Sequence, residues 1–211
     1  MINSAAAGDA LALTSLQAKL VDAAAECIRE EGIHAVRARA VATRAGYSVG
    51  MIYHGFGDLY DLLFTLNQRT CHQLDQALQQ VEVEDPRQCL EQMAIAYLRF
   101  AHDNKQLWRA MFELRVGPEK TIPETYKANV MATFARIPAA LGRLFPTLPP
   151  AEIDILSRVM FSSVHGIVTM GLDETFVAVP LADLEAQLCR FVEIFVAGLE
   201  PNKAQRFVPA Q

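Results

Sequence analysis

The stretch "RARAVATRAGYSVGMIYHGF", Arg37 to Phe56, carries three arginines and no acid, in a chain with Lys+Arg 19, Asp+Glu 24 and a formal charge of −5. The acid-free run extends from Gly32 to Gly57. Its spacing predicts two short helices around a tight glycine turn, the arrangement of a helix-turn-helix. The second helix of the chain is expected from Ala38 to Ala45, stopped by Gly46. A third is expected after Ser48, whose hydroxyl is placed to accept from the free amides of the next turn. If that helix starts near Val49, a rotation of roughly 100° per residue puts Val49, Ile52 and Phe56 on one side, with Tyr53 at its edge. Gly50, Met51 and His54 point the other way, and Tyr47 in the preceding turn can join them. A short helix standing on apolar anchors, with such residues outward, suits insertion into a major groove. A carboxylate near a phosphate backbone would repel it over a Debye length of about 8 Å. Arg37, Arg39 and Arg44, free of neighbouring acids, therefore read either as a cationic DNA-facing patch on an otherwise acidic molecule or as a plain solvated face.

Outside this stretch the composition is globular. The chain has 211 residues, 52% hydrophobic and 20% charged, enough for one large or two small domains. The longest uncharged candidate for a membrane span, Val159 to Leu172, is too short and is interrupted by Ser162, Ser163 and His165. The opening "MINSAAAGDALALTS" lacks the basic and apolar regions of an export signal, so residues 1–14 are expected to be a disordered lead and the protein cytoplasmic. Cys27, Cys71, Cys89 and Cys189 show no C-x-x-C spacing and no histidine at ligand distance. They read as reduced thiols, and neither a metal nor a cofactor is expected.

The rest of the chain reads as all-α. Leu16, Leu20, Ala24, Cys27 and Ile28 recur at helical spacing in a first helix that ends near Gly32. Asp58 is placed to cap a fourth, with Leu59, Leu62, Leu63, Leu66, Leu74, Leu78 and Val81 as its buried stripe. No proline precedes Pro86. Three patterned regions follow it: residues 89–114, residues 122–145 with Pro138 as a kink or break, and residues 152–172. A last helix is expected over residues 181–199, followed by a fraying tail over 201–211. Only "TFVAV" before Pro180 alternates as a strand would, and it reads more simply as a connection.

Met93, Tyr97, Phe100, Trp108, Met111 and Phe112 form an apolar stripe that could be plain core or the adaptable wall of a ligand cavity. His165, beside Gly166 in an uncharged run, could be a packing residue or a ligand contact. The last two helices carry apolar seams at Ile153, Leu156, Met160, Val164 and Ile167, and at Leu184, Leu188, Phe191, Phe195 and Leu199. Val192, Ile194 and Val196 make the final helix apolar on further faces. No G-x-S-x-G, G-x-x-x-x-G-K-[ST] or H-E-x-x-H motif is read in the chain, and no nucleophile-and-base arrangement is recognisable, so an enzyme is not expected.

The run "AKLVDAAAECIREEGIHAVRARAVATRAGYSVGMIYHGFGDLYDLL" resembles the N-terminal domain of the tetracycline-repressor (TetR) family of transcriptional regulators, over about residues 15 to 65. The resemblance implies an all-α homodimer, with a DNA-binding head over residues 15–60 and a ligand-binding and dimerisation body over residues 61–200. Within it, Arg39 matches a polar position that approaches phosphate, and Tyr47, Ser48 and Gly50 match the recognition turn and helix. Tyr53 matches a tyrosine whose hydroxyl reaches phosphate, and His54 a position near the backbone. Three places depart from the pattern. Val36 and Arg37 stand where Ser or Thr usually caps the second helix, Gly55 replaces a His, Tyr or Asn, and Leu59 replaces a lysine that contacts phosphate.

Further on, "AYLRFAHDNKQLWRAMFE" and "FSSVHGIVTMGL" resemble the bodies of a subgroup in which an aromatic, here Phe161, precedes a His-Gly pair by four residues. With the apolar last helices, this implies a four-helix homodimer interface. The expected function is a repressor that binds a palindromic double-stranded operator and is released by a small, mostly apolar effector. The alternative is a helical ligand- or partner-binding protein with weakened DNA binding.

Overall fold

The structure, a computed structural model, describes residues 13–115, 121–174 and 179–199. The tail over 201–211, all but Leu13 and Thr14 of the expected lead, and "TFVAV" up to Ala178 lie outside the described residues. Those described are helical, with no strand among them. They form α1 (Ser15–Glu31), a 3-10 turn (Ile33–Ala35), α2 (Ala38–Arg44), α3 (Gly50–Phe56), α4 (Leu59–Gln79) and α5 (Pro86–Asp103). There follow α6 (Lys105–Glu113), α7 (Glu124–Thr133), α8 (Arg136–Leu144), α9 (Pro150–Gly171) and α10 (Leu181–Gly198). Thr14 is not part of a loose lead. It caps α1, accepting from the Gln17 N–H at 3.3 Å while the Gln17 side chain accepts from its own N–H at 3.0 Å.

The chain packs as two compact units, Met1–Leu74 with Asn104–Ala132, and Asp75–Asp103 with Thr133–Gln211. The packing boundary therefore falls inside α4. In the first unit the core takes Leu20, Val21, Ala24 and Ile28 from α1, Val41 and Ala42 from α2, and Ile52 from α3. Leu62, Leu63 and Leu66 of α4 and Leu107 and Ala110 of α6 complete it. Asp58 caps α4 as expected, its Oδ1 accepting from the Asp61 N–H at 2.8 Å.

Two expected helices are broken differently from the sequence reading. Residues 89–114 do not form one helix. The chain leaves helical geometry at Asn104 (φ −122°, ψ 33°), where "HDN" gathers residues of low helix propensity, and restarts as α6. Pro138 neither kinks nor ends a helix. It lies in the first turn of α8, where its missing N–H would have had no intrahelical partner, and the break falls earlier, between Thr133 and Arg136.

In the second unit α5 packs against α10 and α8, and α9 against both α8 and α10. Gly171 lets α9 approach α10 closely, since a Cβ there would overlap the end of the Leu184 side chain and force it to shift. Arg136 ties down the end of α4, donating to the Leu78 carbonyl and, at 2.7 Å, to the Val81 carbonyl. Arg143 reaches the Glu84 carbonyl at 2.7 Å.

Of the expected seams, Ile153, Met160 and Val164 of α9 and Leu184 and Leu188 of α10 are buried within this unit, whereas Leu156, Ile167, Phe191, Phe195 and Leu199 are half-buried. Ile155, Val159 and Met170 of α9 and Ile194 of α10 are exposed.

Candidate nucleic-acid interface and ligand cavity

The α2–α3 turn is made by main-chain bonds around Gly46, whose φ of 76° suits a residue without a Cβ. The Gly46 N–H donates to the Thr43 carbonyl at 3.1 Å and the Tyr47 N–H to the Ala42 carbonyl at 2.9 Å. Helix α3 begins one residue later than expected, with Val49 at its N-cap, so Ser48 lies one position too early to cap it. The Ser48 carbonyl instead accepts from the Met51 N–H at 3.0 Å. Contrary to the sequence reading, Gly46 to Gly50 do have the G-x-S-x-G spacing of a hydrolase nucleophile turn. That motif needs a strand before the serine, and here a helix, α2, precedes it.

Ile52 is fully buried, and Val49 and Phe56 pack against the same core. Gly50, Tyr53 and His54 are exposed, while Met51 is half-buried. Tyr53 stands further out than its expected edge position, with 57% of its surface exposed. Tyr47 is half-buried, and the Lys19 ammonium lies 5.9 Å from the centre of its ring. α3 thus presents a tyrosine, a histidine and an open glycine on one rigid, solvent-facing side.

The cationic patch is less free in space than in sequence. Arg37 folds back, donating at 2.8 Å to the His34 carbonyl and at 2.9 Å to the Val36 carbonyl, and α2 has no side-chain cap. Arg44 donates to Glu30, in the last turn of α1, at 2.5 Å. Arg39 is exposed and has no hydrogen bond or ion pair among the described residues. Glu30 lies outside the acid-free stretch, so only the packing of α2 against α1 reveals its effect on Arg44.

The Gly55 carbonyl accepts from Gln17 Nε2 at 2.8 Å, and a Cβ at Gly55 would meet Gln17 and Leu20 at 3.7 Å, an ordinary contact, so nothing in the structure explains the glycine there. Leu59 packs against the head core. Gln17 was missed as a site residue, although Thr14-x-x-Gln17 matches a capping-box pattern.

The second unit encloses about 390 Å³ of empty space, its mouth included. Of the predicted stripe, Met93 and Tyr97 line it, joined by Phe134 and Ile137, which the sequence did not single out, and by Met160 and Phe161, which it placed in a helix seam and ahead of the His-Gly pair. Phe100 is buried in that unit without lining the cavity. Trp108, Met111 and Phe112 belong to α6 in the first unit, where Trp108 is buried and packs edge-on to Phe112 with ring centres 5.7 Å apart. His165 stands behind the wall. Its Nδ1 lies 2.8 Å from the Tyr97 hydroxyl, its Nε2 3.4 Å from the Thr169 hydroxyl, and its ring stacks on Phe161 at 5.8 Å. Burial holds the His165 imidazole below the ordinary histidine range, which favours the neutral ring. No group of three or more potential metal-ligating side chains occurs among the described residues.

A helix-turn-helix with an exposed third helix, carried with a helical bundle that holds an apolar cavity, defines a DNA-binding transcription regulator. The chain belongs to the TetR family. Residues 20–66 match the family "Bacterial regulatory proteins, tetR family", and residues 90–195 match "Tetracyclin repressor-like, C-terminal domain". Among solved structures, the fold is similar to a protein of unknown function from Rhodococcus sp. RHA1. The two share 20% identity over 91% of this chain and 99% of that one, with a TM-score of 0.71. It is also similar to the TetR-family regulator PfmR from Thermus thermophilus, at 20% identity over 86% and 98% of the two chains, with a TM-score of 0.61. The fatty acid degradation regulator FadR from Bacillus halodurans matches at 17% identity over 89% and 97%, with a TM-score of 0.62. No curated protein matches the chain. The N-terminal family model, PfmR and FadR are all described as regulators.

Proposed function

We propose that the protein is a cytoplasmic repressor that binds a palindromic operator as a homodimer and is released by a small, mostly apolar effector. The observation that carries this reading is the exposed face of α3, with Tyr53 and His54 outward on a helix anchored by the fully buried Ile52. Tyr47, Gly50 and Met51 read base edges. Arg39, Ser48, Tyr53 and His54 contact phosphate and set the register. Arg37 and Arg44 contribute at long range. The effector occupies the cavity lined by Met93 and Tyr97, and the pairing of Phe161 with His165 supports the aromatic-x3-His-Gly subgroup. Ile155, Val159, Met170 and Ile194 form the face that a second copy covers, which a symmetric dimer needs to meet equivalent half-sites.

A second reading, a helical ligand- or partner-binding protein with weakened DNA binding, is favoured by the Arg44–Glu30 pair and the packed Leu59. Footprinting on the DNA upstream of the chain's own coding sequence separates the two. A two-fold symmetric footprint whose affinity falls steeply with salt is expected, and a protein that protects no DNA at low salt would establish the second reading. Tyr53→Phe should weaken binding to all sequences alike, whereas Tyr47→Ala should change base preference.

A further inference from the structure

We propose that the cavity of the second unit selects an uncharged molecule with an apolar body and one hydroxyl group, which the Tyr97 hydroxyl engages with His165 as its positioning residue. This rests on the effector reading above and gives the effector a chemistry. Among the described residues that line the cavity, Tyr97 alone has a polar side chain and none is charged. A carboxylate or ammonium carried into such a site would lose its hydration with no opposite charge to compensate. Arg136 lies beside Ile137 in the chain, but its guanidinium is held by the Leu78 and Val81 carbonyls. His165 is held neutral by burial and supplies no fixed charge either.

A hydroxyl is the group that fits the pair in both of its proton arrangements. If the imidazole proton is on Nε2, facing Thr169, then Nδ1 accepts from Tyr97 and the tyrosine oxygen can accept from a ligand. If the proton is on Nδ1, that nitrogen donates to Tyr97, and the tyrosine proton can go to the ligand instead. A ligand hydroxyl donates in the first case and accepts in the second, whereas a ketone or ether can use only one. Phe134 and Phe161 pack on each other, 4.2 Å apart centre to centre, and Tyr97 meets Phe161 edge-on at 5.9 Å, so this aromatic group forms one continuous apolar wall beside the Tyr97 hydroxyl.

Calorimetric titration of the full chain, without DNA, against 1-naphthol, naphthalene and 1-naphthoate at pH 7.5 tests the proposal. Naphthol should bind one per chain and about fivefold more tightly than naphthalene, the worth of one net hydrogen bond. Naphthoate should bind at least about tenfold more weakly than naphthol, because its charge stays unpaired. Tyr97→Phe, which removes one oxygen atom, should bring naphthol and naphthalene within about twofold while leaving naphthalene affinity unchanged. His165→Leu should have the same effect, and His165→Gln should restore part of the preference. Failure of all three probes to bind, equal or tighter binding of naphthoate, or a naphthol preference that survives Tyr97→Phe would each overturn the proposal. Operator binding, scored separately by footprinting, shows whether the regulator reading falls with it. A chain that binds DNA but lacks the preference loses only the effector chemistry, and one that shows the preference without binding DNA loses only the regulator reading.

Discussion

The two units bury their apolar residues in different ways. In the first unit the cluster beneath α1 to α4 is filled by small and medium side chains, with Phe64, Trp108 and Tyr126 buried outside it. Ala24, Val41, Ile52, Leu62 and Ala110 are all at or near zero exposure, so short helices approach closely and α3 is held rigid. The second sets a packed group of Leu98, Leu141, Leu188 and Val192 beside a cavity walled by Met93, Tyr97, Phe134 and Met160. A surface that must present side chains to DNA in one geometry benefits from the first kind of core. A surface that must accept and respond to a ligand needs the second.

The sharpest way to break this contrast is to truncate one side chain in each core. Leu20→Ala, at a fully buried position, should cost about 3 kcal/mol in urea unfolding, whereas Met160→Ala, at a wall that already borders empty space, should cost about 2 kcal/mol. Equal losses would mean that the second core is as tightly packed as the first.

The next effect concerns two glycines of α9. Gly171→Ala should destabilise by about 1 to 3 kcal/mol, because Leu184 has to shift. Gly166→Ala meets nothing within 4 Å and should stabilise the helix by up to about 1 kcal/mol, measured by thermal melting. A destabilised Gly166→Ala would indicate that a second copy packs closely against that position.

On DNA the expected changes are smaller. Arg39→Ala should reduce the salt slope of operator binding by about 0.9, one phosphate contact, and Arg44→Ala should reduce it less, since Glu30 already neutralises that charge. Glu30→Gln should tighten binding to every sequence, read by fluorescence anisotropy at several salt concentrations. An unchanged affinity would show that the Arg44 side chain stays away from the duplex.

The smallest effect is on pH dependence. His165 is held below its ordinary value of 6.5 by burial, so the unfolded chain binds more protons than the native one in this range. Stability should therefore fall as pH drops below about 6.5. Urea midpoints measured from pH 7.5 downward should show His165→Gln with a flatter profile than the parent. Identical slopes would mean that the imidazole is hydrated in the native state.

Much of the first unit was legible because its signals are local. Gly46 marks the turn, Asp58 the cap of α4, and the spacing of Val49, Ile52 and Phe56 the inward side of α3, each set by residues within one or two helical turns. The body was less legible for the opposite reason. The stripe from Met93 to Phe112 has helical spacing throughout, yet the break at Asn104 sends Trp108 to one core and Tyr97 to another.

Local residue order was enough for the all-helical class, the helix-turn-helix and the lack of acids along it, because periodicity and turn chemistry act over a few residues. It took the packed fold to bring Glu30 onto Arg44, to gather Phe134 and Met160 with Tyr97 around a cavity, and to leave Ile194 in water while Val192 is buried. Those outcomes depend on which helices meet and at what rotation. Side chains far apart in the chain settle that, and on helices apolar on several sides, such as α10, the local pattern leaves more than one face able to turn inward.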